Sequence, residues 1–383
     1  MVAFLNIIIT FAKKIIHMKM YKRLSIAFTA ATFLLSTTLS CQKDTSSPQP
    51  PVEIELPENT GVSYGQTTSI SLPSSLSNRN DLTLSLSYEQ IANVGISGNV
   101  KLHDLLTKAV VIDDKRQNIV INSALLYPNG ALSTTNDSKI PDSYAIKLLV
   151  KSNSGETVGE SKFNFTVSDG TIGIKEADLS NEIPFAYALY SSETTTFELD
   201  AMDIPTEGTI WHLSSEAGAS NNVSVENSTI KFTSAAGDPD KKAEYTYDLR
   251  PVLLKDGFPV ASTAFRVVFI PQIKFFFGMY YPDMDLTIYL NLLHIALGNG
   301  YLSAAPTIYP DNYKSSFSLQ SVSLDGETFD NSTDVFSVNA QTGAVSVKED
   351  DTLKAGSYKI MVKAVTTTGH EFQTDLTLVM SAL

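Results

Sequence analysis

The sequence predicts an all-β protein built from β-sandwiches in tandem. Its 383 residues correspond to two to four domains at roughly 100–200 residues each. A pattern of strands and turn residues recurs three times, and long segments of helical periodicity are nearly absent. With 43% hydrophobic and 18% charged residues, the composition is that of a folded protein, neither disordered nor a multi-span membrane protein.

The charge balance excludes one large class of partners. The chain has 28 Lys and Arg against 41 Asp and Glu, a formal net charge of −13. Five of the cations lie in the first 40 residues, so the remainder is still more acidic. Because phosphate binding depends on clustered Lys and Arg, we predict no nucleic-acid partner, and adhesion to anionic lipid is disfavoured.

The N-terminal segment is typical of a secretory signal. A basic stretch, Met18–Arg23, precedes a twelve-residue apolar run, Leu24–Leu35, and small polar residues then lead to Cys41. The apolar run is shorter than the roughly 20 residues needed to span a bilayer, so a permanent transmembrane helix is disfavoured. Residues 1–17 add a second hydrophobic patch before a better start at Met18, and a misassigned start codon explains them most simply.

The residues before Cys41 resemble the lipobox of bacterial lipoproteins. That resemblance implies that residues 18–40 are a lipoprotein signal peptide and that Cys41 is lipidated and anchors the protein to a membrane. Thr38 and Leu39 depart from the usual residues at their positions, so a plain secretory signal with an incidental cysteine stays open. Cys41 is the sole cysteine, so we expect a body that has no disulfide and is stabilised by core burial alone.

A Pro-rich tether is predicted at 41–56. Within it, Gln42–Pro51 cannot bury apolar surface, and a polyproline conformation of this stretch would reach roughly 30 Å. The start, Gln42-Lys43-Asp44, loosely resembles the export tags of surface-exposed lipoproteins in the Bacteroides group, which implies display outward from the outer membrane.

The recurring unit is a hairpin of two alternating strands around a polar turn. A tyrosine near the start of each copy repeats at intervals of about 100 residues, which suits a sandwich of about that length. The hairpins span 143–167, 245–269 and 358–380, and the tyrosines are Tyr144, Tyr247 and Tyr358. A short strand pair is predicted before each, in 118–131, 223–233 and 336–347. We therefore predict sandwich domains at 57–169, 170–271 and 272–383.

The third copy carries a family resemblance. The segments Val335–Val347, Leu353–Tyr358 and Val362–Gly369 resemble the end of a cadherin-like or immunoglobulin-like bacterial repeat, in which Thr-Gly makes the turn and the tyrosine packs inside. The resemblance implies tandem immunoglobulin-like or cadherin-like sandwiches. The paired acidic clusters of calcium-binding cadherins are missing, so we predict neither interdomain calcium nor another cofactor.

The sequence contains no enzyme motif, and we predict that the protein is not an enzyme. Nucleophile elbows, P-loops and Gly-rich dinucleotide motifs are absent. The four histidines that follow the predicted signal peptide are too dispersed for a zinc motif: His103, His212, His294 and His370. A glycosidase needs only two carboxylates, which Asp283 and Asp285, Asp238 and Asp240, or Glu349–Asp351 could supply. Solvated loop acids are the favoured interpretation.

One segment departs from the repeat. Residues 275–317 contain ten aromatics in 43 residues, against a chain average of 9%. Aromatic faces beside hydrogen-bonding side chains suit a sugar, whose ring has an apolar face and polar hydroxyls. The candidate carbohydrate-binding residues are Tyr280, Tyr281, Tyr309, Asp311, Asn312 and Tyr313. The alternative is that these aromatics belong to the core and the rim of the sandwich, with Phe275–Phe277 and Leu286–Leu297 expected to be buried. Trp211 is expected to be a buried strand residue.

The layout of anchor, tether and sandwiches resembles the surface glycan-binding lipoproteins encoded with polysaccharide-uptake systems in the Bacteroides group. The resemblance implies non-catalytic polysaccharide binding by the third domain, near a TonB-dependent transporter. The alternatives are an adhesin or fimbria-associated lipoprotein that binds proteins, and a degradative enzyme with carboxylates recruited across loops.

Overall fold

Nearly all of the regular secondary structure in the described residues is β-strand, which confirms the predicted fold class. The computed structural model describes residues 51–77, 79–191, 193–214 and 221–382. The predicted upstream extension, the signal peptide, Cys41 and most of the tether lie outside the described residues. Among the described residues, no helix is long and apolar enough to cross a membrane.

Two sheets enclose the first core, which consists mainly of buried residues between 62 and 172. The elements here are β1 (Asn59–Ser63), β2 (Thr67–Ser71), α1 (Ser74–Ser77), β3 (Leu82–Ser87), β4 (Gly95–Ser97), β5 (Val100–Lys101), α2 (Leu102–Ala109), β6 (Val110–Ile112), β7 (Asn118–Asn122), β8 (Tyr144–Ser152) and β9 (Thr157–Ser168). One sheet has the order β1-β9-β8-β3 and the other β2-β7-β6, and β4 pairs with β5. Both larger sheets contribute side chains to the same core, so they form a sandwich.

The alternation predicted for the first hairpin is confirmed. β8 and β9 pair antiparallel, with Tyr144 opposite Phe165 and Ile146 opposite Phe163, all four buried. The Tyr144 hydroxyl donates to the Tyr127 carbonyl oxygen at 2.7 Å, which satisfies its polar end inside the core.

Two local features differ from the sequence prediction. A strand pair was expected in 118–131, but only β7 forms there, and a 3-10 turn at Ser123–Leu125 follows it. β7 instead pairs with β2 and β6. The short helix α2 was not predicted; it buries Leu102, Leu106 and Ala109 on one face, and eight residues are too few for a clear helical period.

A second core lies between 174 and 269. Its elements are β10 (Gly173–Ile174), β11 (Phe185–Leu189), β12 (Thr195–Asp200), β13 (Thr209–Leu213), β14 (Val223–Glu226), β15 (Thr229–Phe232), β16 (Tyr245–Leu249), β17 (Pro251–Lys255), β18 (Phe258–Ser262) and β19 (Phe265–Ile270). The sheets β10-β12-β15-β14 and β11-β19-β16 share this core. The strands β17 and β18, which lie between β16 and β19 in the chain, form a separate sheet with β13.

The first core extends past residue 169. Leu253 of β17 and Phe258, Val260 and Ala261 of β18 are buried in it. At the other end, Val52 donates its backbone N–H to the Val158 carbonyl oxygen at 2.8 Å, so part of the predicted tether packs on β9. The predicted limits of the first sandwich stay a prediction, since packing against its core involves residues on both sides of them.

The third core lies between 270 and 380. Its elements are β20 (Lys274–Phe276), β21 (Gly278–Tyr281), β22 (Leu286–Tyr289), β23 (Leu292–Ala296), β24 (Tyr301–Leu302), β25 (Thr307–Tyr309), β26 (Lys314–Leu324), β27 (Glu327–Thr328), β28 (Phe336–Val338), β29 (Val345–Val347), β30 (Gly356–Thr366) and β31 (Glu371–Ser381). The sheets β23-β31-β30-β26-β27 and β24-β29-β28 enclose the core, and Tyr358 is buried in it as predicted. Two small pairs, β20 with β25 and β21 with β22, lie outside these sheets and position the candidate site.

Candidate functional site

The candidate site is built on a two-stranded ribbon formed by β21 and β22. A 3-10 turn over Pro282–Met284 joins the two strands, and Asp285 closes it in the left-handed conformation with φ 46°. Gly278 begins the ribbon at φ 147°, where a Cβ would lie 2.0 Å from the Ile288 carbonyl oxygen. The strands can therefore pair this closely only because residue 278 has no side chain.

Strand pairing assigns neighbouring residues to opposite faces of the ribbon. Tyr280 lies opposite Thr287, whereas Met279 lies opposite Ile288 and Tyr281 opposite Leu286. Because side chains alternate along a strand, Tyr280 and Tyr281 point in opposite directions. The two adjacent tyrosines that the sequence grouped as one site are thus separated by the ribbon.

Tyr280 and Tyr309 form the aromatic part of the site. Their ring centroids lie 4.9 Å apart and their planes are inclined by 58°. Tyr309 is 37% exposed and Tyr280 is half-buried. The two rings therefore do not form one flat platform but present two inclined apolar faces.

A charged pair lies beside these rings. The Lys274 Nζ lies 3.1 Å from Oδ1 of Asp285 and 4.4 Å from the centroid of the Tyr280 ring. The Tyr280 hydroxyl donates to the same carboxylate oxygen at 2.7 Å. Hydrogen bonds from Tyr280 and Lys274 lower the pKa of Asp285, and the bond to Asp285 raises the pKa of Tyr280. The ring orientation of Tyr280 is therefore held from both its face and its hydroxyl.

Asp311 and Asn312 are exposed on the short 3-10 turn that follows Tyr309. Lys274 pairs with Tyr309 across β20 and β25, so this turn begins next to the charged pair. The structure thus brings Tyr280 and Tyr309 together, and the exposed turn residues follow Tyr309 directly in the chain.

Tyr313 differs from the expectation for a binding residue. It is only 4% exposed, packs in the third core, and donates its hydroxyl hydrogen to Oε1 of Glu244 at 2.7 Å. Burial and this hydrogen bond raise its pKa. Its side chain faces the core because it lies on the 3-10 turn, one residue past the exposed Asn312. A stacked sugar could not reach this ring.

The expectation that Leu286–Leu297 is buried core is wrong: every residue of this segment is exposed or half-buried, and Leu293, Ile295 and Leu297 only partly pack against the third core. The side chains of Leu286, Ile288, Tyr289, Leu290 and Leu292 are 37–65% exposed. Leu286 and Ile288 join Met279 and Tyr281 in an apolar outer face of the ribbon. Phe276 and Phe277 are buried and Phe275 is half-buried, as expected.

Lys274 and Tyr289 were missed by the sequence analysis. Tyr289 packs its ring 5.1 Å from that of Phe276, on the same ribbon face as Tyr280. The alternation of residues 278–281 and 286–289 around Pro-Asp could have indicated the hairpin, but Lys274 enters only through the pairing of β20 with β25.

The other residues considered for chemistry do not converge. Among the described residues, no group of three or more His, Cys, Asp or Glu side chains could hold a metal ion. Asp285 is engaged by Lys274 and Tyr280, and Asp350 accepts bonds from Thr352. Trp211 is half-buried on β13 and packs against both the first and the second core.

Comparison with known families gives one match. Residues 280–382 match the family model described as surface glycan binding protein BT4661-like, N-terminal. This range includes the aromatic site apart from Lys274, and the match confirms the predicted resemblance to surface glycan-binding proteins with immunoglobulin-like domains. No curated protein matches the chain.

Solved structures with tandem extracellular domains are similar at low identity. Drosophila OTK extracellular domains 3–5 are 11% identical, with 86% of this chain and 97% of that chain covered at a TM-score of 0.28. Drosophila N-cadherin EC1–3 is 12% identical, with 85% and 98% covered at a TM-score of 0.28. TM-scores this low support no argument about the arrangement or the function of the chain.

Proposed function

We propose that this protein binds polysaccharide at the cell surface, without catalysis, through the Tyr280–Tyr309 side of the ribbon. One observation carries the proposal. Within the range that matches a surface glycan binding family, two accessible tyrosine rings lie beside an ordered Lys274–Asp285 pair. Such a site offers both components that a sugar requires, an apolar ring face and fixed polar partners for its hydroxyls.

The inclination of the rings bears on the ligand. Because the planes differ by 58°, one flat sugar ring cannot lie on both. Each tyrosine would contact a different sugar unit, and a curved glycan chain suits this geometry better than a flat one. Asp311 and Asn312, which are exposed beside Tyr309, would bind hydroxyls of the next unit.

Display at the surface extends this proposal. Cys41 would carry the lipid anchor in the outer membrane, and the tether would hold the body on the outer side. Individual contacts to one sugar are weak, and many anchored copies on one polymer would supply avidity. The bound polysaccharide would then pass to a glycan-uptake system containing a TonB-dependent transporter.

Affinity electrophoresis tests the binding. A soluble form, residues 45–383, keeps all three described cores and would migrate through native gels that contain neutral plant, host or microbial polysaccharides. We expect retardation by at least one polymer and clearly weaker retardation of Tyr309→Ala. Tyr281→Ala is the matched control, since Tyr281 has similar exposure but lies on the opposite face. Equal loss in both variants, or retardation by no polymer, would contradict the proposal.

A second candidate has its own observation. The apolar outer face of Met279, Leu286 and Ile288 is typical of a protein-contact surface, and it favours the adhesin alternative. Under that alternative, Ile288→Thr would reduce attachment of cells to protein-coated surfaces, whereas Tyr309→Ala would not.

A further inference from the structure

The sheet formed by β11, β19 and β16 has one buried face and one open face. Its buried face contributes Ala186, Val267, Phe269 and Tyr247 to the second core. The alternate residues of the three strands point away from the second core. They are Phe185 and Tyr187 on β11, Arg266 and Val268 on β19, and Thr246 and Asp248 on β16. Four of them are exposed, whereas Phe185 and Val268 are half-buried and Val268 packs against the third core.

Strand register arranges these side chains in two cross-strand rows. In the first row, Phe185 lies beside Arg266, which lies beside Asp248. In the second row, Tyr187 lies beside Val268, which lies beside Thr246. Each row therefore begins with an aromatic ring at the edge strand and ends with a polar group on β16.

The polar and aromatic groups are held in defined orientations. Arg266 donates through Nε and Nη2 to the two carboxylate oxygens of Asp248, at 2.7 and 3.3 Å. This two-point contact orients the planar guanidinium group on the sheet. The rings of Phe185 and Tyr187 lie 5.6 Å apart and nearly perpendicular, at 88°.

A hollow of about 800 Å³ lies over this face, and it is also lined by Asn181, Glu182 and Glu244. A second hollow of about 570 Å³ shares Phe185 and Tyr187 and reaches the loop from Thr367 to His370. Both volumes fall in the range of small-ligand sites, roughly 300–1,000 Å³. The aromatic pair thus separates two adjoining spaces along which a chain of several sugar units could lie.

The charges around the hollow indicate the class of ligand. Among the residues that line the hollow, Glu182 and Glu244 are acidic and Arg266 is the one cation, which is already paired with Asp248 at the edge of the hollow. An acidic sugar would meet net repulsion here, in a chain whose net charge is −13. Neutral hydroxyl groups can accept from the guanidinium and donate to the carboxylates.

We propose that this face is a second saccharide-binding site, which takes a neutral glycan chain against Phe185 and Tyr187. The inference rests on the proposed function, because both sites would bind the same class of polymer. Phe185 and Tyr187 lie in the middle of the chain, outside both the aromatic segment 275–317 and the range 280–382 that matches the family model.

Tyr187→Ala tests the second site in the form spanning residues 45–383. The probes are galactomannan, xyloglucan, mixed-linkage β-glucan, glycogen and yeast mannan as neutral polymers, and polygalacturonate as an acidic one. With a neutral polymer that retards the wild type, we expect Tyr187→Ala to weaken binding by roughly two- to tenfold, the scale of one aromatic contact. The loss should add to that of Tyr309→Ala in the double variant. Tyr245→Ala is the matched control, an exposed tyrosine of the same sheet that does not line the hollow.

The outcomes separate this inference from the proposed function. If Tyr187→Ala binds as the wild type does while Tyr309→Ala loses binding, the second site is overturned and the proposed function stands. If no polymer retards the wild type, both fall. Binding of polygalacturonate through Tyr187 would overturn the neutral class of ligand. Circular dichroism and thermal unfolding of each variant establish that a lost interaction is not lost folding.

Discussion

The hydroxyl group of Tyr127 lies 2.5 Å from the Oδ2 atom of Asp256, 129 residues later in the chain. Asp256 lies at the tip of the β17–β18 hairpin, and this hydrogen bond joins the tip to the first core. Thr134 donates its backbone N–H to the Gly257 carbonyl oxygen at 2.8 Å, and Lys255 Nζ donates to the Ala124 carbonyl oxygen at 3.0 Å. The β17–β18 hairpin is thereby hydrogen-bonded to the residues around the first core.

Breaking this contact should weaken the junction between the first two cores. We expect Tyr127→Phe to lower the free energy of unfolding by about 1 kcal/mol, because a hydrogen bond to an exposed carboxylate is lost. Asp256→Gly removes the acceptor and tolerates the φ of 51° at that position. Urea unfolding of the two single variants and the double variant should give a coupling energy above about 0.5 kcal/mol. Tyr88→Phe, whose hydroxyl bonds to Val110, should show no coupling to Asp256→Gly.

Gly278→Ala should disrupt the ribbon without unfolding the cores. Its Cβ would lie 2.0 Å from a backbone oxygen, so β21 and β22 could not keep their pairing. We expect loss of polysaccharide binding with a nearly unchanged far-ultraviolet circular dichroism spectrum. Gly326→Ala is the control, since residue 326 also has a positive φ, 93°, but no atom lies within 4 Å of its added Cβ. Similar losses of binding in both variants would show that backbone strain, rather than the close strand approach, is responsible.

The pH dependence of polysaccharide binding should follow Asp285. Its pKa is lowered from 3.8 by the bonds from Tyr280 and Lys274, so the ion-paired arrangement is complete above about pH 4 and is lost as pH falls below it. Titration calorimetry from pH 2.5 to 8 should give constant affinity down to about pH 4 and weaker binding only below it, as the pH falls through the lowered pKa of Asp285. Asp285→Asn should remove most of this acidic decrease. A midpoint near pH 6 would contradict the prediction, because it would implicate a histidine.

Tyr313 and Tyr309 should have separable effects. Tyr313→Phe loses the bond to Glu244 and should lower the unfolding free energy by about 1 kcal/mol, with polysaccharide affinity unchanged. Tyr309→Ala should lower affinity with a smaller effect on stability, because its ring is partly exposed. Native gels and thermal unfolding of both variants provide the measurements. Reduced affinity in Tyr313→Phe would return this residue to the binding site.

The strands of the long hairpins could be predicted because their pattern is local. In β8 and β30, every second residue is apolar and buried, from Tyr144 to Val150 and from Tyr358 to Ala364, and each partner strand follows after a short polar turn. Period-two alternation is the signature of a strand with one buried face, and it needs no knowledge of distant residues. The same reasoning failed for α2 and for the second strand expected in 118–131, where short segments carry too few residues to define a period.

The sequence alone determined the all-β class, the recurrence of the hairpins and the concentration of aromatics in 275–317. Only the tertiary structure decided which of those aromatics are accessible. Tyr280 and Tyr281 are neighbours in the chain but lie on opposite faces of a ribbon, and Tyr313 is buried against Glu244. Lys274 lies beside Tyr280 because β20 pairs with β25, and the Thr307 hydroxyl of β25 donates to the Gly278 carbonyl oxygen of the ribbon. Exposure depends on what packs against a residue, and here the packing partners are distant in the chain, so no local pattern could identify them.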